Sequence, residues 1–217
     1  MFIKVCGLTR QADALVAVEA GATALGFVFW PQSPRFVSPA TARAIVSTLP
    51  PGILSVGVFV NETVDGIRAA VAASGIGMVQ LHGDEGSSYA AALACPLIRA
   101  CGVDEAEAAI AAWPGDVTLL VDARDPVRRG GTGRQVDWSR AAVIAQRRRM
   151  LLAGGLTPEN VSAAIRAVRP YGVDVSSGVE AAPGVKDAGK VARFVASARA
   201  ALAAAGERAR EEGGSRL

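Results

Sequence analysis

The sequence predicts a single (β/α)8 barrel, an α/β fold in which parallel strands form a closed ring inside a ring of helices. Short apolar runs rich in Val, Ile, Leu and Phe recur eight times along the chain. Between them lie Ala-rich stretches with apolar residues at three- and four-residue spacing, which is typical of amphipathic helices. The 217 residues are close to the size of one such barrel and leave no segment for a second domain.

The predicted strands are almost continuously apolar, as strands buried on both faces of a parallel sheet must be. They cover residues 2–8, 24–29, 53–60, 78–83, 96–103, 117–123, 150–156 and 172–179. Strict alternation of strand and helix predicts parallel pairing with right-handed crossovers. Eight units favour the closed barrel, and an open doubly wound sheet is the alternative on the pattern alone.

Capping residues precede several predicted helices. Ser38 before Pro39 is typical of a helix start, because Ser accepts a hydrogen bond from a free N–H group and Pro suits the first turn. Similar signals lie at residues 9–13, 61–63 and 157–159. From residue 204 the sequence becomes charged and Gly-rich. We therefore place the barrel at residues 1–203 and predict a frayed helix end and a disordered tail at 204–217.

Composition and charge exclude several functional classes. Hydrophobic residues make up 51% of the chain, enough for a large core, whereas aromatics make up 5%, which argues against a base-stacking surface. The net charge is +3, and the densest basic run, residues 147–149, is too short for a nucleic-acid footprint. No apolar stretch is long enough to span a membrane. We expect no nucleic-acid or membrane partner.

The three cysteines form no CxxC pair, and the N-terminus lacks the regions of a signal peptide. Both features are typical of a protein in the reducing cytoplasm. Without an obvious exposed apolar patch, we expect a monomer.

Polar side chains mark the ends of several predicted strands. Cys6 closes the first strand, Arg35 follows the second, His82 ends the fourth and Asp122 ends the sixth. In this fold the active site lies at the C-terminal ends of the strands. Polar groups that converge on one rim predict a site for a small ligand.

Glycine-rich segments follow the last three predicted strands: GGTG at 130–133, AGGL at 153–156 and SSG at 176–178. Without a side chain, backbone N–H groups can approach an anion closely, and a helix N-terminus adds a favourable dipole. One such glycine is typical of a turn, but three at successive strands predict a phosphate site. We expect its contacts to come from Gly131, Gly133, Gly154, Gly155, Ser177 and Gly178. Neither nucleotide-binding glycine motif is complete.

Cys6 has two interpretations, since a free cysteine is most often a small buried hydrophobic residue. Cys95 and Cys101 are interpreted in that way. Cys6 differs because it lies at the ligand end of its strand, and Lys4 points to the same side. An ammonium group beside the thiol favours the thiolate, so we expect Lys4 to lower the pKa of Cys6. We also expect Lys4 to be one of the substrate-binding residues.

Two aspartates are candidates for the same rim. Asp122 is at the end of an apolar strand. The next helix begins well downstream, near Ser139, so Asp122 is too far away to cap it. In a dry barrel mouth the pKa of such a carboxyl can rise, which suits a general acid. Asp174, in the eighth strand, is either a buried partner of Lys4 or a group that binds a sugar hydroxyl.

Arg35 is a permanent planar donor suited to a carboxylate. His82 is the only histidine of the chain, and both a hydrogen bond to the substrate and a structural role remain open for it. One histidine does not favour a zinc site. We expect neither a metal ion nor an organic cofactor.

Seven segments together resemble the phosphoribosylanthranilate isomerase family of tryptophan biosynthesis, and they occur in the family's order over nearly the whole chain. They are KVCGLT (4–9), GATALGFVFWPQSPRFVSP (21–39), VGVFVNE (56–62), VQLHGDE (79–85), VDARDPVRRGGTGRQVDW (121–138), LLAGGLTPENV (151–161) and VDVSSGVEAAPGVKD (173–187).

The resemblance implies an Amadori rearrangement of a sugar-phosphate substrate without metal or cofactor. Asp122 would be the general acid that opens the furanose ring, and Cys6 the general base that removes the C2′ proton. Arg35 would hold the anthranilate carboxylate, and the glycine-rich strand ends the phosphate.

The chain departs from the family's pattern at Val136, where Phe is common, and at Arg128 and Arg129, which precede the GGTG segment. These changes bear on loop closure more than on the reaction.

The rival enzymes fit less well. The histidine-pathway ribonucleotide isomerase family has an Asp at the position where this chain has Cys6. Indole-glycerol-phosphate synthase needs Lys and Glu at strand ends where this chain lacks them, and ribulose-phosphate epimerases use a metal. A non-catalytic phosphate-ligand sensor on the same fold would keep the glycines but has no use for Cys6 and Asp122.

Overall fold

The computed structural model describes residues 1–123 and 136–214, with the backbone alone over 207–214. Within these ranges, strands β1 to β8 are all parallel and close into a barrel in chain order, with β8 paired to β1. The strands are β1 (Phe2–Cys6), β2 (Ala24–Val28), β3 (Leu54–Phe59), β4 (Met78–Leu81), β5 (Leu97–Gly102), β6 (Thr118–Asp122), β7 (Met150–Leu152) and β8 (Gly172–Val175). Each lies inside one of the predicted apolar runs. The predicted barrel is confirmed, and the open sheet is excluded.

A helix follows each of these strands. The helices are α1 (Gln11–Ala20), α2 (Pro39–Val46), α3 (Val64–Ser74), α4 (Ser88–Leu93), α5 (Ala106–Ala112), α6 (Trp138–Arg147), α7 (Val161–Val168) and α8 (Ala188–Gly214). None of the described helices is both long enough and apolar enough to cross a membrane.

Two of the predicted helix caps are confirmed and two are wrong. Ser38 Oγ accepts from Thr41 N at 3.1 Å, and Thr63 Oγ1 accepts from Gly66 N at 3.1 Å. Helix α1 instead starts after Arg10, without a side-chain cap. Helix α7 starts after Asn160, whose Oδ1 accepts from the N–H of Thr157 at 2.8 Å, so the chain first forms a turn there.

Alternation along the strands divides the core into an inner and an outer layer. In β1, Ile3 and Val5 belong to the large cluster between the sheet and the helices, whereas Phe2 belongs to a separate cluster with residues such as Ile98 and Leu120. A third small cluster joins Cys6 with Val28, Val58 and Trp30 at the C-terminal strand ends. Even positions of β1 therefore face the barrel interior, which places Lys4 there as well.

The run 172–179 had predicted a strand to residue 179, but β8 ends at Val175. A short 3-10 helix (Ser177–Val179) leads into an antiparallel hairpin of β9 (Glu180–Ala182) and β10 (Val185–Lys186). Helix α8 then runs to Gly214, past the predicted domain boundary at residue 203. That boundary stays a prediction, and residues 215–217 lie outside the described residues.

Candidate active site

The structure brings most of the predicted site residues to one end of the barrel. Cys6 and Asp122 are the last residues of β1 and β6, and Asp174 lies in β8 beside β1. Arg35 lies in the loop after β2, and His82 directly follows β4. Since all strands are parallel, their C-terminal ends share one mouth. Gly131 and Gly133, like Arg128 and Arg129, lie outside the described residues.

Lys4 and Asp174 form a buried ion pair below the mouth. They are register partners across the β1–β8 seam, and Lys4 Nζ donates to Asp174 Oδ1 at 3.0 Å. Lys4 is 0% exposed and Asp174 8%. Of the two interpretations left open for Asp174, the partner of Lys4 is therefore observed, while substrate contacts of either residue stay predictions. Burial acts to lower the pKa of Lys4, but Asp174 and Cys6 outweigh it and the pKa is raised.

The thiol of Cys6 lies beside this pair, in a mostly apolar pocket. Burial raises its pKa, and this effect exceeds the lowering by Lys4 and Lys186, while Asp174 adds to the rise. The ammonium group acts in the predicted direction, but the predicted net lowering of the pKa is wrong, because the desolvation penalty of the thiolate is larger.

Gly26 makes the space that the thiol occupies. It is the register partner of Cys6, and a Cβ at this position would lie 2.6 Å from Cys6 Sγ. The same Cβ would lie 3.0 Å from the Lys4 Cε atom. A residue with a side chain at position 26 would therefore displace Cys6 and Lys4, both of which point into the barrel from β1.

Arg35 is engaged by a residue that the sequence analysis did not single out. Its Nε and Nη2 donate to the two carboxylate oxygens of Glu180 at 2.8 and 2.7 Å. Lys186 Nζ donates to the same carboxylate at 2.8 Å, and both Glu180 and Lys186 are buried. A charged residue beside Val179, in a segment that carried the family resemblance, was the available signal for Glu180.

Asp122 and His82 form a looser group on the far side of the mouth. Asp122 Oδ1 accepts from the N–H of Ala123 at 2.7 Å, and its Oδ2 lies 3.6 Å from His82 Nε2. The last distance is too long for a hydrogen bond. Gln80 Nε2 lies 2.9 Å from His82 Nδ1. The ring of His82 therefore lies between Gln80 and Asp122.

The glycines of the predicted phosphate site are required by the backbone itself. Gly154 and Gly155 have φ values of 79° and 65°, and a Cβ on Gly154 would come within 2.7 Å of Val136. A Cβ on Gly178 would overlap the carbonyl oxygen of Leu156. Within the described residues, the N–H groups of Gly155, Ser177 and Gly178 donate to no protein acceptor. These donors suit an anion.

Within the part of the chain that the structure describes, no three His, Cys, Asp or Glu side chains are grouped as metal ligands. Cys95 is half-buried and Cys101 is buried, and neither of them, nor Cys6, is part of a disulfide.

Comparison with known proteins decides the family. The family model described as N-(5'-phosphoribosyl)anthranilate (PRA) isomerase matches residues 3–197 of the chain. The chain belongs to this family. The resemblance seen in the sequence motifs is confirmed.

Individual PRA isomerases are similar over nearly their full length. The enzyme of Pelobacter propionicus is 48% identical over 198 residues, which cover 91% of this chain and 95% of that protein. The enzyme of Magnetococcus marinus is 47% identical over 206 residues, which cover 94% and 98%.

Solved structures of PRA isomerases have the same fold. The Thermotoga maritima enzyme has a TM-score of 0.85 and 41% identity, covering 92% of this chain and 99% of that one. A PRA isomerase in complex with reduced 1-(o-carboxyphenylamino)-1-deoxyribulose 5-phosphate has a TM-score of 0.82 and 40% identity, with the same coverage. A further Thermotoga maritima structure shows monomers generated from a dimeric PRA isomerase. The monomer expected for this chain stays a prediction.

Proposed function

We propose that the chain converts N-(5'-phosphoribosyl)anthranilate to 1-(2-carboxyphenylamino)-1-deoxyribulose 5-phosphate, a ketol isomerisation of tryptophan biosynthesis. Family membership over residues 3–197 supports this activity. The relative solved with the reduced form of that product supports a sugar phosphate as the ligand. The cytoplasm is the proposed location, since none of the three cysteines forms a disulfide.

The observation that carries the mechanism is the placement of Cys6 and Asp122. Each is the last residue of its strand, on different sides of one barrel mouth. An acid and a base at separate places around one ligand can act on two positions of a sugar. Asp122 has a polar setting with His82 nearby, whereas Cys6 has an apolar one.

In the proposed reaction, Asp122 donates its proton to the furanose ring oxygen. The C1′–O bond breaks as the nitrogen lone pair forms a C=N bond, which gives a protonated Schiff base. Cys6, as the thiolate, removes the proton from C2′ and becomes a thiol, and the electrons of that C–H bond shift to give an enolamine. The enolamine then tautomerises to the ketone. No atom is gained or lost, and the protons exchanged with the two side chains balance.

The remaining groups are proposed to bind the substrate. Arg35 would hold the anthranilate carboxylate, Asp174 would bind a sugar hydroxyl, and Lys4 and His82 would also contact the substrate. Gly154, Gly155, Ser177 and Gly178 would hold the phosphate. The support for the phosphate site is that three of these residues carry N–H donors without a protein acceptor in the described chain.

The test is a fluorescence assay with N-(5'-phosphoribosyl)anthranilate generated in situ. We expect wild-type protein to consume the substrate, and Cys6→Ser and Asp122→Asn to lower kcat by about 10²–10⁴-fold, the usual contribution of a general acid or base. Because burial raises the pKa of the Cys6 thiol, kcat/KM should increase with pH on the alkaline side as thiolate forms.

Cys95→Ser is the matched control, since Cys95 lies between α4 and β5, near the N-terminal end of a strand and therefore away from the barrel mouth. It should keep wild-type activity. Turnover by Cys6→Ser at the wild-type rate would remove the base assignment and leave the isomerase. A folded wild-type protein that binds the substrate without converting it would favour the non-catalytic sensor.

A further inference from the structure

The Arg35–Glu180 pair is a two-pronged contact in which both partners are largely buried. Arg35 Nε donates to Glu180 Oε1 at 2.8 Å and Arg35 Nη2 to Oε2 at 2.7 Å. The side chains are 13% and 5% exposed. Such a fork-to-fork arrangement fixes the plane of the guanidinium as well as its position.

Glu180 is itself fixed by the hairpin in which it lies. It is the register partner of Lys186 across β9 and β10, and Lys186 Nζ donates to its Oε1 at 2.8 Å. Lys186 Nζ also donates to the carbonyl of Ser176 at 3.1 Å. Burial acts to raise the pKa of Glu180, but the hydrogen bond from Arg35, together with Lys186, lowers it below its ordinary value. The carboxylate is therefore ionised and rigidly held.

The stem of Arg35 lies across the end of β1, immediately beyond Cys6. A Cβ on Gly7 would lie 2.5 Å from Arg35 Cδ and 3.3 Å from its Cβ. Gly7, with φ at +76°, lets the arginine lie directly on the backbone of the barrel mouth. The stem of Arg35 thus packs on Gly7, and its guanidinium is held along one edge by Glu180.

The other edge of the guanidinium remains available. Glu180 takes the Nε–H and one Nη2–H, and Nη1 has no acceptor within the described residues. The cluster of Arg35, Lys186 and Glu180 has two positive charges and one negative charge. A buried excess of one positive charge is costly unless an anion compensates it. A planar edge with that excess charge suits one more carboxylate.

We propose that Glu180 is a positioning residue for substrate recognition: it holds one edge of Arg35 so that the second edge can bind the anthranilate carboxylate. The hairpin that follows the barrel strands is the support for this contact. The inference rests on the proposed function and extends it to two residues, Glu180 and Lys186, that do not touch the substrate.

The test compares two substrates that differ only in this carboxylate, N-(5'-phosphoribosyl)anthranilate and N-(5'-phosphoribosyl)aniline. With the first, Glu180→Gln should raise KM by about tenfold and change kcat little, because a charge-assisted contact used in binding is weakened. With the second, the KM of wild type and variant should agree. Arg35→Met should abolish the preference for the carboxylate, and Arg35→Met/Glu180→Gln should be no worse than Arg35→Met.

Glu107→Gln is the matched control, since Glu107 pairs with Arg147 on the surface, and it should leave both KM values unchanged. If Glu180→Gln does not fold, Glu180→Asp keeps the charge but shortens the reach, and it should lower the preference for the carboxylate in part. An equal loss with both substrates would overturn the inference while the isomerase function stands. Wild-type protein without activity on either substrate would remove the proposed function and the inference with it.

Discussion

The two sides of the barrel mouth are built differently. On the β1–β8 side, Lys4 pairs with Asp174 at 3.0 Å, and Arg35 pairs with Glu180 at 2.7–2.8 Å. On the β4–β6 side, Asp122 accepts a hydrogen bond from Ala123, its one hydrogen bond within the described residues, and Asp122 Oδ2 lies 3.6 Å from Nε2 of His82, the only histidine of the chain.

The difference suggests that the ion pairs of the β1–β8 side mainly stabilise the site, whereas Asp122 mainly contributes to the reaction. Buried charges are tolerated only when they are paired, so the side that carries Cys6 is held rigidly by ion pairs that leave little freedom. Asp122, by contrast, has few contacts among the described residues, so its substitution removes little that holds the fold. Substitutions in the ion pairs of the first side should therefore affect folding and geometry, whereas substitutions on the second side should mainly affect the rate.

The largest effect on stability is expected for Lys4→Met. It leaves Asp174 as an unpaired buried charge, and removal of one partner of a buried pair typically costs about 3–5 kcal/mol. Urea unfolding followed by circular dichroism measures the loss. Lys4→Met/Asp174→Asn should lose less than the sum of the two single variants, because the residues share one contact.

The control for this effect is the exposed pair Arg140–Asp104, whose side chains are 52% and 80% exposed. Asp104→Asn should cost less than about 1 kcal/mol. A loss for Lys4→Met as small as this one would show that the buried pair does not stabilise the Cys6 side.

Gly26→Ala should affect geometry on the same side. The added Cβ would lie 2.6 Å from Cys6 Sγ and 3.0 Å from its Cα, so the thiol must move. A displacement of about 1 Å at a reacting group typically costs about 10²-fold in rate, and we expect that loss in kcat.

Gly77→Ala is matched to it, since its added Cβ would have only Ser55 Oγ within 4 Å, at 3.9 Å. That variant should keep full activity. Wild-type kcat for Gly26→Ala would argue against Cys6 as the base.

The smallest effect is expected on the other side, for His82→Asn. The amide retains a polar group near the position of Nδ1 but removes Nε2, which faces Asp122. Because the contact is longer than a hydrogen bond, we expect kcat to fall by about tenfold at most, with a change in unfolding free energy below about 1 kcal/mol. A loss equal to that of Asp122→Asn would instead make His82 part of the proton transfer.

Local patterns in the sequence were sufficient for the barrel and for the place of most site residues. Apolar runs and capping residues such as Ser38 act over a few residues, so their effect can be predicted without the fold. Once the strands are parallel, Cys6 and Asp122 must reach the same mouth, because each ends its strand. The family motifs added the roles expected of these two residues, Cys6 as the general base and Asp122 as the general acid.

Only the tertiary structure determines which charged residues form ion pairs and in which direction the pKa of the Cys6 thiol shifts. Asp174 is 170 residues from Lys4, and Glu180 is 145 residues from Arg35. For Asp174 two partners had remained open, and Glu180 had no assigned role, because a sequence pattern does not show which distant side chains will meet. The raised pKa of Cys6 follows from burial, which is a property of the closed barrel and not of the segment KVCGLT.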